Sequence, residues 1–426
     1  MNVLLLWLAF IGLWSAVAWA AKSFHWQAES SRKAIHTGMG LVCACFPWFF
    51  SHPWEVWMLA ILCVIPLAGA RVFPNGFPKA MSAALNRVTR RSWGELLFAP
   101  SVALAFTFGH QNRPLFTACI LLLALADAAG ALVGKRWGAN GYATMSTRKS
   151  VEGSLAVMIS GGLVVFLVLW IAAVAPIGNC LFIAMVAGCL VGMIEAVADS
   201  GFDNLTIPVG MFLILDRLIV LDLGDLIARL AVLGFLAITL LLSARRSTLD
   251  GGALLAGCLL LYACHALGGW LFFLPPLMVF LFHLRACIRW QLHLRMHHGV
   301  ISVASLGLPV MLWLIVNATE MMPQRASLQA VAWSCAVFLA LAMSATKWKM
   351  TSQRNFWTPC MKAVAVCILP LWVLGEFPGW LNFSVGFAVS LASVYFGARV
   401  PQAEQSYEYS WRAASALLTS CTVFLS

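Results

Sequence analysis

The chain has 426 residues, 62% hydrophobic and only 10% charged, with a net charge of +11 and a mean hydropathy of +0.89. That balance excludes a water-soluble globule. The Lys and Arg residues flank apolar runs, where anionic headgroups or phosphates are their natural partners, and no nucleic-acid-binding module is visible.

Apolar runs of about 17 to 25 residues, the length that crosses ~30 Å of hydrocarbon as a helix, recur along the chain, roughly fourteen in all. No alternating strand pattern accompanies them, and a helix satisfies its own backbone in lipid. The expected fold is all-α, a polytopic transmembrane helical bundle. The first half predicts nine spans, near 3–21, 34–50, 55–70, 96–110, 115–134, 153–175, 180–198, 205–221 and 224–243. The first ends in Ala18-Trp19-Ala20, which imitates a signal-peptidase site. Met1-Asn2 supplies no cation before the apolar core, so it is read as a spanning helix. Loops after odd-numbered helices carry fourteen Lys and Arg residues, from Lys22 to Arg246, while the opposite loops carry only Arg113. The positive-inside rule then puts the amino terminus outside and the basic loops in the cytoplasm. A multi-pass protein of the bacterial cytoplasmic membrane is expected.

The polar stretch Arg245 to Asp250 divides the chain into halves, 1–243 and 244–426. In the second half, HLRACIRWQLHLRMHH (283–298) carries Arg285, Arg289 and Arg295, with Leu284, Ile288 and Leu292 at helical spacing. This pattern predicts a helix lying in the headgroup region. His293 and His297 stand at i, i+4 like a metal pair, but no carboxylate or Cys accompanies them, and the lipid-surface reading is preferred. Thirteen Cys are scattered through apolar segments without a CxxC pair and read as small packing hydrophobes.

Ionisable side chains within a span are costly, so each is at a helix end, paired, or functional. Asp127 interrupts an apolar run and begins Asp127-Ala-Ala-Gly130-Ala-Leu-Val-Gly134-Lys135-Arg136. Asp127, Gly130, Ala131 and Gly134 share one helix face, a carboxylate followed by small residues that let a neighbouring helix or a ligand's phosphates approach closely. Arg148-Lys149-Ser150-Val151-Glu152-Gly153 then leads into the next apolar helix, with Ser150 placed to cap it. Lys135, Arg136, Arg148 and Lys149 beside a helix amino terminus make an anion site, and several converging cations suit phosphate better than carboxylate. Plain positive-inside anchoring explains these cations but not the Asp, the glycines or Glu152.

Further on, Glu195-Ala-Val-Ala-Asp199-Ser-Gly-Phe-Asp203-Asn204 puts Glu195 and Asp199 at i, i+4. Three carboxylates with no Lys or Arg among them sit on the side that should be basic. Mg²⁺ bridging one or two of them to substrate phosphates would relieve the repulsion; a solvated acidic loop is the bland alternative. Upstream, Arg32-Lys33-Ala-Ile-His36-Thr-Gly38-Met-Gly40 enters the second helix. His36 lies one turn inside, where it can meet a phosphate or a lipid hydroxyl, although a lone His at that depth is more often a hydrogen-bonded interface residue.

The order RKxxHxxxG, ADAAGALVGKRWG, RKSVEGS and E(x3)D(x3)DNLTIP resembles the polyprenol kinase family, which includes phytol, farnesol and dolichol kinases, over about residues 32–210. The resemblance implies CTP as phosphoryl donor, Mg²⁺ as cofactor and a membrane lipid alcohol as acceptor. It implies Asp127, Glu152, Asp199 and His36 as catalytic groups. Lys135 and Lys149 would hold phosphates, with Arg32, Lys33, Gly130, Gly134, Arg136, Arg148 and Gly153 in the same set. Asp127, Glu195, Asp199 and Asp203 would hold the metal, and Asn204 would stand on the acceptor side. Within the same superfamily, a CTP:phosphatidate cytidylyltransferase is the alternative enzyme, against which the DNLTIP segment speaks. A transporter or structural membrane protein would gather its charges near the midplane rather than at one surface.

A P-loop is excluded, because Gly130 to Lys135 is one residue too short for GxxxxGK[ST] and Arg136 replaces the hydroxyl residue. Over about residues 247–345 the second half resembles the phytyl-phosphate kinase membrane family through Ser247-Thr-Leu-Asp-Gly251-Gly and Gly268-Gly269-Trp270. Where that family carries an Asp-containing run, this chain has Ala342-Met-Ser-Ala-Thr346, so the half is expected to be a degenerate partner domain.

Overall fold

The structure is a computed structural model and describes residues 2–26, 28–72, 93–144, 148–292, 296–351, 357–376, 379–397 and 405–425. His293 and Arg295 of the second half lie outside the described residues. Contacts divide the chain into two compact units, Met1–Leu233 and Gly234–Ser426. The division falls inside a helix rather than at the polar stretch that follows it.

The first unit contains α1 (Asn2–Ser23), α2 (Ala28–Ala44), the short α3 (Phe46–Phe49), α4 (Pro53–Val72), α5 (Gly94–Gly109) and α6 (Arg113–Trp137). A two-stranded hairpin follows, β1 (Gly141–Ala143) and β2 (Arg148–Ser150), and then α7 (Val151–Ile171), α8 (Ile177–Val197), α9 (Asp203–Leu218) and the first half of α10 (Leu223–Ser243), the helix in which the division falls. The helical bundle therefore carries one small antiparallel sheet, where the sequence predicts only a loop. Among the described residues of the whole chain, nine helices are long and apolar enough to cross a membrane, and four shorter apolar helices accompany them.

α6 is the centre of the first unit, with Leu115, Phe116, Ile120, Leu122 and Leu123 wholly buried. Its neighbour α7 is apolar on every side, which suits a helix with protein on one face and lipid on the other. Val157, Val165 and Leu169 are buried, while Ile159, Leu163 and Trp170 are exposed. Across α7 and α8 the backbones come close enough that a Cβ on Gly188 would stand 2.5 Å from the Met158 carbonyl oxygen and 3.2 Å from Gly162 Cα. Lipid tails are as apolar as Leu, so such small-residue contacts are what hold spanning helices together.

The second unit contains α11 (Gly251–Gly268), α12 (Trp270–Trp290), α13 (Val300–Ala318), α14 (Gln324–Thr351), α15 (Trp357–Cys367), α16 (Leu369–Val373), α17 (Trp380–Gly397) and α18 (Gln405–Leu425). α14 runs through its core, with Val331, Trp333, Cys335 and Val337 fully buried. The expectation of a separate surface helix over 283–298 is corrected here. Residues up to Trp290 are the last turns of α12, and the helix stops where Gln291 takes a left-handed conformation, φ 49°. All thirteen cysteines are free thiols, most of them buried, consistent with packing roles.

Replacing Gly188 by Val forces α7 and α8 apart, at a cost of about 1–3 kcal/mol for an overpacked contact. The expected result is a thermal midpoint in detergent several degrees lower, while Gly178→Ala, made where a Cβ meets nothing within 4 Å, leaves it unchanged.

Candidate active site

On α2, Lys33, His36, Thr37 and Gly40 fall at i, i+3, i+4 and i+7 and so share one face. That face lies against α6 where α6 widens into a π turn over Leu122–Ala126, a local defect frequent at functional sites. A Cβ on Gly40 would stand 2.5 Å from Ala124 Cβ, so only Gly permits this approach, and Thr37 Oγ1 donates to Ala124 O at 3.2 Å. One turn along, the Lys33 ammonium reaches the Asp127 carboxylate at Oδ2. His36 Nε2 stands 3.8 Å from the same oxygen, buried and with no hydrogen-bond partner among the described residues, its ring edge-on to Phe98 at 5.1 Å.

The hairpin aims the second cation. Its register pairs Tyr142 with Lys149, and Tyr142 Oη and Ser154 Oγ share a hydrogen bond of 2.6 Å. Burial pushes the Tyr142 phenol above its ordinary pKa; the Ser154 bond opposes that rise and the Glu195 charge adds to it. Ser150 leaves the strand and caps α7, its Oγ accepting from Gly153 N at 3.1 Å as the sequence predicts. Glu152 is half-buried, and its carboxylate accepts from Asn140 Nδ2 at 2.7 Å and Asn140 N at 3.1 Å, pinning the bend that precedes β1. With both ends of the hairpin anchored, Lys149 Nζ reaches Glu195 Oε1 at 2.7 Å and also donates to the Glu195 carbonyl.

The acidic stretch is arranged differently from the sequence reading. α8 ends at Val197, Ala198 is extended, and Ser200 and Gly201 turn through positive φ of 54° and 89°. Glu195 and Asp199 therefore do not share a helix face. Asp199 instead accepts from Ser200 Oγ at 3.2 Å. The turn is tied to the start of α5 by Trp93 N donating to Ser200 O and Asn204 Nδ2 donating to Gly94 O, both at 2.8 Å. Asn204 is 6% exposed, so its amide holds backbone in place.

The glycines also settle differently. A Cβ on Gly130 would meet Val157 at 2.4 Å, one on Gly134 would meet Ser150 Oγ at 3.1 Å, and one on Gly153 would meet Gly130 O at 3.1 Å. Of the two occupants that the small-residue face admits, the space holds the neighbouring helix α7. Gly130, Gly134 and Gly153 let α6 and α7 touch, which sets Ser150 and the hairpin against the last turns of α6. Lys135, Arg136 and Arg148 are exposed, with Arg136 over the Trp137 ring at 5.0 Å and Arg148 alongside Gly141.

All four motifs nevertheless meet in one electrostatic cluster. His36 feels the charges of Asp127, Lys33, Arg32 and Asp203, and Glu195 feels those of Lys149, Asp127 and Asp203. Among the described residues no three His, Cys, Asp or Glu side chains form a closed metal site. Mg²⁺ does not require one, since it binds one or two carboxylates and completes its shell with phosphates and water. Asp127, Glu195 and Asp203, acting on common neighbours, fit that partial ligand set. Sequence reasoning gave no role to Thr37, Asn140, Tyr142 and Ser154. Of these, only Thr37 had a signal, its helical spacing from Lys33.

A phytol kinase of Synechocystis sp. is 35% identical to this chain over 192 residues, which cover 78% of that protein and 44% of this one. The chain belongs to the phytol kinase family. No family model matches it, and no solved structure does. In this phytol kinase family member, the cap at Ser150 joins the hairpin to α7. Ser150→Ala should cost about 1 kcal/mol of stability, and hydrogen exchange should show faster opening of β2 and the first turn of α7 than of α8.

Proposed function

We propose that this protein transfers the γ-phosphate of CTP to the hydroxyl of an isoprenoid or other lipid alcohol at the cytoplasmic face of a bacterial membrane. The observation that carries the reading is the pairing of Lys33 with Asp127 and Lys149 with Glu195 around His36 and Asp203, in a member of the phytol kinase family. Two cations and three carboxylates gathered at the same end of the bundle suit a nucleotide triphosphate more than a transported ion. The 14-to-1 asymmetry of basic residues between the two sets of loops supports the cytoplasmic assignment.

Phosphoryl transfer asks a protein for positioning and charge neutralisation, because little covalent chemistry falls to its side chains. Lys33 and Lys149 exchange their carboxylate partners for phosphate oxygens, which frees Asp127 and Glu195. Asp127, with Asp203 or Glu195, would hold Mg²⁺, which would supply positive charge to neutralise the phosphates during transfer. Arg32, Lys135, Arg136 and Arg148 form the outer field that attracts the nucleotide. His36, with an uncommitted and buried Nε2, takes the proton of the lipid hydroxyl. The acceptor reaches the site from the bilayer, so its chain stays in hydrocarbon and only its hydroxyl meets the polar cluster.

The test is phosphate transfer from γ-labelled CTP, and separately ATP, into farnesol, phytol, long polyprenols and diacylglycerol, with purified protein in lipid and Mg²⁺. Label should appear in an isoprenoid alcohol with CTP. Asp127→Asn should abolish transfer, a loss of at least a hundredfold, in protein that still elutes as a folded species; full activity would remove Asp127 from the site. Lys149→Ala should weaken nucleotide binding more than lipid binding.

A further inference from the structure

Two side chains share one face of the hairpin. Tyr142 and Lys149 are direct partners across its strands and both are half-buried, whereas Gly141, Ala143 and Arg148 are exposed. Each ends on a different helix: Tyr142 Oη and Ser154 Oγ of α7 share a hydrogen bond of 2.6 Å, and Lys149 Nζ donates to Glu195 Oε1 of α8 at 2.7 Å. Tyr142 also feels the Glu195 charge, so its ring and the ion pair occupy the same corner of the site. The base of the hairpin is held separately, by Val151 N donating to Asn140 O at 2.9 Å, by Asn140 Nδ2 on Glu152 and by the Ser150 cap. Those ties fix the backbone beside Lys149 but not its side chain, a flexible four-carbon stem.

Residues directly opposite across antiparallel strands hold their Cβ atoms about 4.5–5.5 Å apart, close enough for an aromatic ring to lie along a lysine stem. In the structure Glu195 fixes the far end of that stem. On the kinase reading Lys149 exchanges Glu195 for a phosphate oxygen, and the ion pair no longer restrains it. The bond between Tyr142 and Ser154 joins two neutral hydroxyls, and burial, which raises the phenol's pKa, keeps Tyr142 in that neutral form. A change of partner at Lys149 therefore leaves that bond intact. We propose that Tyr142 is a positioning residue: clamped to Ser154, its ring keeps Lys149 directed at the site while the ammonium passes from carboxylate to phosphate. This role for Tyr142 deepens the kinase reading and rests on it, because the nucleotide is what draws Lys149 from Glu195.

The test uses the full chain in phosphatidylcholine nanodiscs with Tyr142→Phe, Ser154→Ala and Ser154→Thr, the last keeping a hydroxyl at the α7 position. The first readout is acetylation of Lys149 relative to the exposed Lys135, followed by peptide mass spectrometry. Glu195→Gln and Tyr142→Phe should each raise Lys149 acetylation less than threefold and the two together at least tenfold, since each restraint covers for the other. The second readout is phosphate transfer from γ-labelled CTP. Tyr142→Phe and Ser154→Ala should raise KM for CTP at least fivefold with kcat within twofold, and Ser154→Thr should match the wild type. A merely structural tie would instead lower the melting temperature and kcat together at unchanged KM. Additive acetylation in the double variant, or an unchanged KM in Tyr142→Phe, overturns the role given to Tyr142. No transfer by the wild-type chain from CTP or ATP, with the non-additive acetylation intact, overturns the kinase reading while the clamp on Lys149 stands.

Discussion

A carboxylate within a membrane span must find a partner, and the arrangement of the first unit follows from how Asp127 finds one. Lys33 can reach it only if α2 lies flat against α6, and α2 can do that only because Gly40 has no side chain where Ala124 stands. The π turn displaces the α6 backbone at that contact, and Thr37 bonds the Ala124 carbonyl there. His36 is carried to the site by the same contact, which is why its ring is buried against Phe98 with one nitrogen unsatisfied. Breaking a fully buried ion pair by removing one partner costs about 3–5 kcal/mol; here the side chains keep 12–18% of their exposure, so the cost is smaller, but the direction is the same.

The second pair is built by longer-range means. Lys149 and Glu195 are 46 residues apart and meet because three glycines let α6 and α7 touch, Ser150 caps α7, and Glu152 fastens the bend before β1. Glu152 thus contributes by holding Asn140, and the glycines by removing bulk between helices. Both effects act on where Lys149 points. A motif such as RKSVEG then reads as one cation with the local scaffold that aims it.

Much of this was legible in the sequence, and the parts that were not share a cause. The all-α class follows from the long apolar runs, and the polar elements around Asp127, Lys149, Glu195 and Lys33 stand out because charges are scarce in such a chain. Ser150 was recognisable as a cap from its place before an apolar run. The pairing of those charges was not legible, since it depends on helix contacts between distant segments. Periodicity put Glu195 and Asp199 on one face, but α8 stops between them when Ala198 turns extended, and only the Ser200-Gly201 turn hinted at that stop. The small-residue face of α6 admitted a helix or a phosphate equally well, and the choice required knowing where α7 lies. In the second unit, basic residues at helical spacing suggested a surface helix, whereas the apolar run before them continues unbroken into α12.

Both ion pairs bear on how an empty site can be stable and still accept a highly charged ligand. In the structure Lys33 and Lys149 are each matched to a carboxylate, which offsets most of the charge that the helices gather at this end. On the kinase reading, Lys33 and Lys149 would turn to phosphate oxygens, and Asp127 and Glu195 would be left to hold Mg²⁺. A phosphate ligand without the metal would leave Asp127 and Glu195 facing new negative charge in a medium that screens poorly. On that reading the two pairs would couple nucleotide and metal binding, since either one alone would strand a charge that the other would neutralise.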